Sequence, residues 1–169
     1  MRRVLIIGNA GAGKSTFAVK LAEKTGLPLV HLDKIFWHGQ WEHLSREEFD
    51  KALQAELEKE SWIIDGNFNR TLPHRLQYCD LVFFFDLPTA VCFWSAIKRV
   101  LQNYGKTRPD MGGKCRERFD WGELDLYKSI LQFNRKHRKK YYELLDYHDN
   151  VVIFKSRKQA DKYLREVNW

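Results

Sequence analysis

Gly8-Asn9-Ala10-Gly11-Ala12-Gly13-Lys14-Ser15 fits the pattern G-x-x-x-x-G-K-[ST] without a mismatch. The glycines let the backbone curl so that successive N–H groups point inward, where they hold phosphate oxygens. Just upstream, Arg3–Ile7 is a short apolar run of β-branched character, the form of a strand buried on both faces. Just downstream, Lys14–Thr25 carries Phe17, Ala18, Leu21 and Ala22 on one helical face, and Gly26 is placed to end that helix. Strand, glycine loop and helix in that order make a phosphate cradle, to which the helix start adds the positive end of its dipole. Lys14 is then placed to reach the β- and γ-phosphates of ATP, and the Ser15 hydroxyl to ligate Mg²⁺. The expected nucleotide site is Gly8, Asn9, Ala10, Gly11, Ala12, Gly13, Lys14, Ser15 and Thr16, with ATP and Mg²⁺ as cofactors.

Outward from the cradle, strands and helices alternate. Leu27–Leu32, Trp62–Ile64, Leu81–Phe85 and Val151–Phe154 read as further strands. Ser45-Arg46-Glu47-Glu48 is a capping box ahead of Phe49, Leu53 and Leu57. Pro88 stands near the first position of a helix running to Tyr104, and Ser156–Val167 forms a closing helix. Such alternation predicts a parallel α/β sheet with right-handed crossovers, in a single domain over residues 1–169. Gly105–Gly122 has no clear period and reads as a mobile insertion of the kind that forms functional loops and lids. Parallel sheets bind ligands beyond the carboxyl ends of their strands, and three of those ends carry aspartate. A carboxylate there can hold Mg²⁺ or take a proton from an acceptor hydroxyl. Asp65, in Trp-Ile-Ile-Asp-Gly, has the form of a metal-serving carboxylate. Asp33 is open to either role, and Asp86 is expected to cap the helix after Pro88.

Composition narrows the classes. With 169 residues, 44% hydrophobic and 14% aromatic, the chain can bury a full core, which excludes wholesale disorder. Its apolar runs are of strand length, so no membrane span or membrane partner is expected, and the run after Arg2-Arg3 is too short for a signal peptide. Cys79, Cys92 and Cys115 show no pairing or zinc spacing, which fits a reducing, cytoplasmic setting. The net charge of +7 is concentrated: Lys98 to Lys140 holds 13 Lys/Arg against 5 Asp/Glu, and the remainder is close to balance. A focused cationic field attracts polyanions, phosphorylated small molecules and nucleic acid among them.

Asp65-Gly66-Asn67-Phe68-Asn69-Arg70-Thr71 is similar to the Asp-Gly-Phe-Pro-Arg segment of nucleoside monophosphate kinases, with one residue extra and no proline. His31-Leu32-Asp33, Trp37, Trp41, Trp62 to Asn67, Thr71-Leu72, Arg75-Leu76 and Gly105 to Met111 extend the likeness nearly end to end. On these residues the chain resembles the bacterial DNA topology modulation family, within the adenylate-kinase-like P-loop kinases. The resemblance implies a P-loop NTPase fold of three α/β/α layers, a five-stranded parallel sheet in the order 2-3-1-4-5 and an arginine-bearing lid. It implies transfer of the ATP γ-phosphoryl group to an unidentified small-molecule acceptor of nucleotide or nucleoside type. Catalytic residues would then be Lys14, Asp33 and at most three of the lid-side candidates Arg99, Arg108, Arg116 and Arg118, the others being surface residues. The acceptor would meet Asp33, Trp37, Asn67, Arg70 and Arg75, the metal Ser15 and Asp65, and the adenine-side loop would include Arg157.

Other signals have plainer readings. Trp62 is expected in the core, while Trp37 and Trp41 suit either packing or stacking on a ring. His31, His38 and His43 fit no metal spacing. Arg135 to Lys140 is expected to be a solvated face; as a phosphate-backbone contact it would support a competing reading, a nucleotide-dependent regulator that binds DNA.

Overall fold

The computed structural model describes residues 1–38, 41–112, 115, 116 and 121–167. Val4, Leu5, Ile6 and Ile7 are all fully buried, which requires cover on both faces of the strand they form, β1 (Arg3–Gly8). Alternate side chains of a strand point to opposite faces, and the core divides accordingly. Val4 and Ile6, with Phe83 and Phe85, meet α1 (Lys14–Thr25), α5 (Thr89–Asn103), α6 (Trp121–Phe133) and α8 (Arg157–Glu166). Leu5 and Ile7, with Val82 and Phe84, meet α3 (Arg46–Leu57) and α7 (Lys139–Leu145). The result is three layers, helix, sheet and helix.

Four further strands flank β1: β2 (Leu29–His31), β5 (Trp62–Asp65), β6 (Leu81–Phe85) and β7 (Val151–Phe154). Among the described residues the sheet is five-stranded and parallel, in the order β2-β5-β1-β6-β7. Numbered within the sheet alone this is 2-3-1-4-5, as expected. Trp62 is buried in the core. Gly26 ends α1 in the left-handed conformation, and Ser45 and Glu48 close the capping box of α3. No helix among the described residues is long and apolar enough to cross a membrane, and the three cysteines are free thiols.

The departures are local. The second strand stops at His31 because α2 (Leu32–Phe36) begins there, so Asp33 sits in the first turn of a helix rather than at a strand tip. A small hairpin, β3 (Trp37–His38) with β4 (Glu42–His43), follows, and α4 (Leu72–Leu76) comes after β5. Helix α6 runs through a π-helical turn, Asn134–Arg138, into α7. Pro88 precedes α5 as its cap residue, and no side chain caps that helix. Asp86 is therefore not a cap. It is buried and accepts bonds from Arg138 Nε and Nη2, both at 2.8 Å, from the Tyr142 hydroxyl at 2.6 Å, and from Lys155. Burial pushes its pKa up, but the bonds from Arg138, Lys155 and Tyr142 outweigh it and hold the carboxyl at about 2. The basic run from Arg135 to Lys140 is otherwise largely exposed. Within the expected lid, Thr107 and Arg116 form an antiparallel bridge and α6 begins at Trp121; Arg118 lies outside the described residues.

Candidate active site

The loop after β1 takes left-handed φ values at Gly8 (137°), Gly11 (76°) and Gly13 (102°). Gly11 also lies against the backbone of α5: a Cβ there would stand 2.2 Å from the Cys92 carbonyl oxygen, so no other residue fits. Gly13 precedes α1 with no side-chain cap, which leaves the first N–H groups of that helix directed at the loop. The loop is pinned from several sides. Asn67 Oδ1 accepts from the Gly8 N–H at 3.0 Å, and Asn9 Nδ2 donates to the Ile130 carbonyl of α6 at 3.0 Å. Arg157 donates to the Ala12 carbonyl at 3.1 Å and to the Gly11 carbonyl and Ser95 Oγ, each at 2.6 Å.

Lys14 folds over this loop, its Nζ donating to the Asn9 carbonyl at 3.0 Å. Burial lowers its pKa, and the nearby carboxylates of Asp65 and Asp33 act against that shift. Asp65 comes from the end of β5. Because β2 and β5 are paired with His31 beside Asp65, the imidazole Nδ1 donates to Asp65 Oδ2 at 3.0 Å. The other oxygen, Oδ1, is buried without a hydrogen-bond partner. Burial, reinforced by the charge of Asp65, pushes the Asp33 carboxyl up to about 6, while Arg108 and Lys14 pull the other way.

These groups share one cavity of about 1250 Å³. Ala10, Gly11, Gly13, Lys14, Ser15, Thr16 and Arg157 line its nucleotide side, and Asp33, Trp37, Asp65, Asn67, Arg99 and Arg108 face it as well. Gly8, Asn9 and Ala12 complete the loop from behind, Asn9 and Ala12 being buried. Besides these three, Arg70, Arg75 and Arg116 are expected site residues that are not in the lining. Arg70 donates two hydrogen bonds to the Asp50 carboxylate, at 2.8 and 2.6 Å, on the half-exposed outer surface. Arg75 is fully buried and donates to the carbonyls of Gly66, at 2.8 Å, Asn67 and Phe68, at 3.2 Å. Arg116 is exposed, and its carbonyl accepts from Trp41 Nε1 at 3.1 Å. Phe36, Phe68 and Asp110 line the cavity although none is an expected site residue, and so does His31, whose spacing to His38 and His43 fits no metal motif. The pairing of His31 with Asp65 follows from strand order and register, and no spacing along the chain shows it.

A magnesium ion bound with nucleotide keeps several waters and takes one or two protein ligands plus phosphate oxygens. The residues present fit that requirement: Ser15 and Asp65 both line the cavity, and Oδ1 of Asp65 has no hydrogen-bond partner. Among the described residues no group of three or more His, Cys, Asp or Glu forms a protein-only metal cage.

The isopentenyl transferase family model matches residues 1–68, which span the cradle, Asp33 and Asp65. The adenylate kinase of Clavibacter michiganensis is 31% identical over 109 residues, 63% of this chain and 53% of the relative. That of Mycobacterium tuberculosis is 56% identical over 34 residues, 20% of this chain and 19% of the relative. The chain thus spans about half the length, or less, of these curated relatives. Among solved structures, shikimate kinase from Bacteroides thetaiotaomicron superposes with a TM-score of 0.57 at 18% identity, over 97% of this chain and 94% of that one. Deoxyadenosine kinase from M. mycoides with bound dATP gives 0.57 at 14% identity, over 99% and 100%. The fold is that of the P-loop kinases.

Proposed function

We propose that this chain is an ATP-dependent phosphotransferase that moves the γ-phosphoryl group to a hydroxyl of a small molecule. The observation that carries the reading is the meeting of Lys14, Asp33 and Asp65 in one cavity, at the mouth of a loop built to hold phosphates. The N–H groups of Gly13 to Thr16, at the uncapped start of α1, and the Lys14 ammonium hold the triphosphate. Mg²⁺, when bound, neutralises phosphate charge, held by the Ser15 hydroxyl and by Asp65, which His31 orients. Asp33 takes the proton of the acceptor hydroxyl. The acceptor oxygen bonds to the γ-phosphorus as the bond to the β,γ-bridging oxygen breaks, and its electron pair leaves with ADP. Arg99 and Arg108 spread the charge that develops on the transferring group. The similarity to adenylate kinases and the kinase fold support this reading. In the competing reading, a nucleotide-dependent role on DNA, the exposed run from Arg135 to Lys140 would contact the phosphate backbone.

The test is Mg-ATP titration followed by scoring ADP release over an acceptor panel, with Lys14→Ala as control. That variant is expected to keep the wild-type circular dichroism and lose at least roughly a hundredfold in acceptor-dependent ADP release. Undiminished transfer by the variant would remove Lys14 from the mechanism. ATP binding with no acceptor-stimulated release would reject the phosphotransferase.

A further inference from the structure

The cavity is larger than the roughly 300–1,000 Å³ that one drug-sized ligand occupies, as two ligands side by side require. Its far end, beyond Asp33, is walled by rings. Phe36 lies 4.9 Å from Trp37 and 5.1 Å from Phe68, and Trp37 lies 5.5 Å from Trp41, between ring centroids. All four line the cavity and form a continuous aromatic surface. Among the described residues only two non-glycine positions have positive φ, and both are in this wall: Trp41 at 64° and Phe68 at 28°. Such conformations persist only where their surroundings hold them, and they gather at ligand-binding sites. Here the holding is visible. Phe68 is fixed through its carbonyl by Arg75 and by the N–H and hydroxyl of Thr71, and Trp41 through its indole N–H on the Arg116 carbonyl.

The charges at this end oppose a second phosphate. Asp65 and Asp110 are both close enough to act on Asp33, and Arg108 is paired with Asp110 at 2.9 Å. Arg70 is bonded to Asp50 away from the cavity, and Arg75 spends its guanidinium on backbone carbonyls. Arg99, on α5, lines the cavity with Lys14 and acts on its charge. We propose that the acceptor is an uncharged, ring-bearing alcohol of nucleoside size, stacked in the pocket of Phe36, Trp37, Trp41 and Phe68 with its hydroxyl on Asp33, and not a nucleoside monophosphate. This rests on the phosphotransferase reading above.

Matched pairs test it: adenosine, guanosine, cytidine, uridine and thymidine, each against its 5′-monophosphate. Glycerol, ribitol and myo-inositol serve as ringless or saturated controls, all with Mg-ATP and ADP release as readout. The expected result is a nucleoside preferred over its monophosphate by at least tenfold in kcat/KM. Trp37→Leu should then raise the acceptor KM about tenfold, the scale of losing one base–aromatic stack, with the KM for ATP within twofold of wild type. Trp41→Asn, which tolerates the left-handed backbone, should do the same. Preference for the monophosphates overturns the uncharged acceptor, and preference for the saturated polyols the aromatic one; either leaves the phosphotransferase standing. Unchanged acceptor KM in both folded variants also overturns the aromatic acceptor. ADP release with no compound at all overturns both readings together.

Discussion

Asp33 carries opposite consequences for activity and for stability. Its carboxyl is pushed up to about 6 by burial and by Asp65, above the roughly 3.9 of an unfolded chain. The folded protein therefore holds this proton more tightly than the unfolded one. The stability it contributes is complete below about pH 4 and is lost as the pH rises through about 6. Asp33→Asn cannot ionise, so its Tm is expected to match wild type near pH 4 and exceed it by a few degrees at pH 7, with phosphoryl transfer abolished. Wild-type kcat/KM should fall on the acid side with a midpoint near 6. A Tm advantage that does not grow with pH would show that Asp33 ionises without strain. Arg75 makes a second case. Its guanidinium serves the carbonyls of Gly66, Asn67 and Phe68 at once, which a lysine ammonium cannot match in geometry. Arg75→Lys is expected to cost about 3 kcal/mol, roughly 6–12 °C in Tm on thermal melting. The motif resemblance placed Arg75 at the acceptor; in the folded chain it acts on the acceptor wall from behind, through Phe68.

At the scale of elements, the parts legible in the chain were those with a repeating pattern. The strands of the main sheet, α1, α3, α5 and α8 each have several turns or a continuous apolar run, so the burial of one face is written into the spacing. Helices α2 and α4 have five residues each, too few to show a period, and the β3–β4 hairpin is shorter still. The π-helical turn shifts the phase of the helix between α6 and α7, which hides one long helical segment behind two mismatched stripes. That segment is tied to the sheet by Asp86, held at about 2 by Arg138, Lys155 and Tyr142. The sign here is the reverse of that at Asp33: the stability Asp86 contributes is present above about pH 4 and is lost as pH falls through about 2. Asp86→Asn is therefore expected to melt below wild type by a constant margin from pH 5 to 8. The margin should close between pH 4 and 2 in thermal melts, and a margin that persists at pH 2 would assign the loss to packing instead.

Across the whole molecule, Arg108 to Met111 line the cavity beside Trp37, and Gly112 lies against the chain that carries it. A Cβ on Gly112 would stand 2.0 Å from the Trp37 carbonyl oxygen and 2.7 Å from that of Lys34, and Trp41 bonds the Arg116 carbonyl nearby. Gly112→Ala must push these two stretches of chain apart. We expect the acceptor KM to rise severalfold while the affinity for Mg-ATP, read by calorimetry, stays within twofold, because the cradle is pinned separately by Asn67, Ile130 and Arg157. Equal loss on both sides would mean that the segment serves the cradle as much as the acceptor wall.

The family resemblance supplied the strand order, which sets Asp65 beside the glycine loop; the chain by itself determined that loop, between its strand and helix, and the parallel sheet. These rest on local backbone chemistry, on periodic burial, and on a motif that brings its own strand and helix. It could not determine which arginines reach the cavity, that Asp86 is an ion-pair centre, that His31 orients Asp65, or that Phe36 and Phe68 join Trp37 and Trp41 in one wall. A charged or aromatic side chain takes its role from whatever packs beside it. Those neighbours, Asp50 for Arg70, the Gly66–Phe68 carbonyls for Arg75 and Arg138 for Asp86, are brought together only when the layers close.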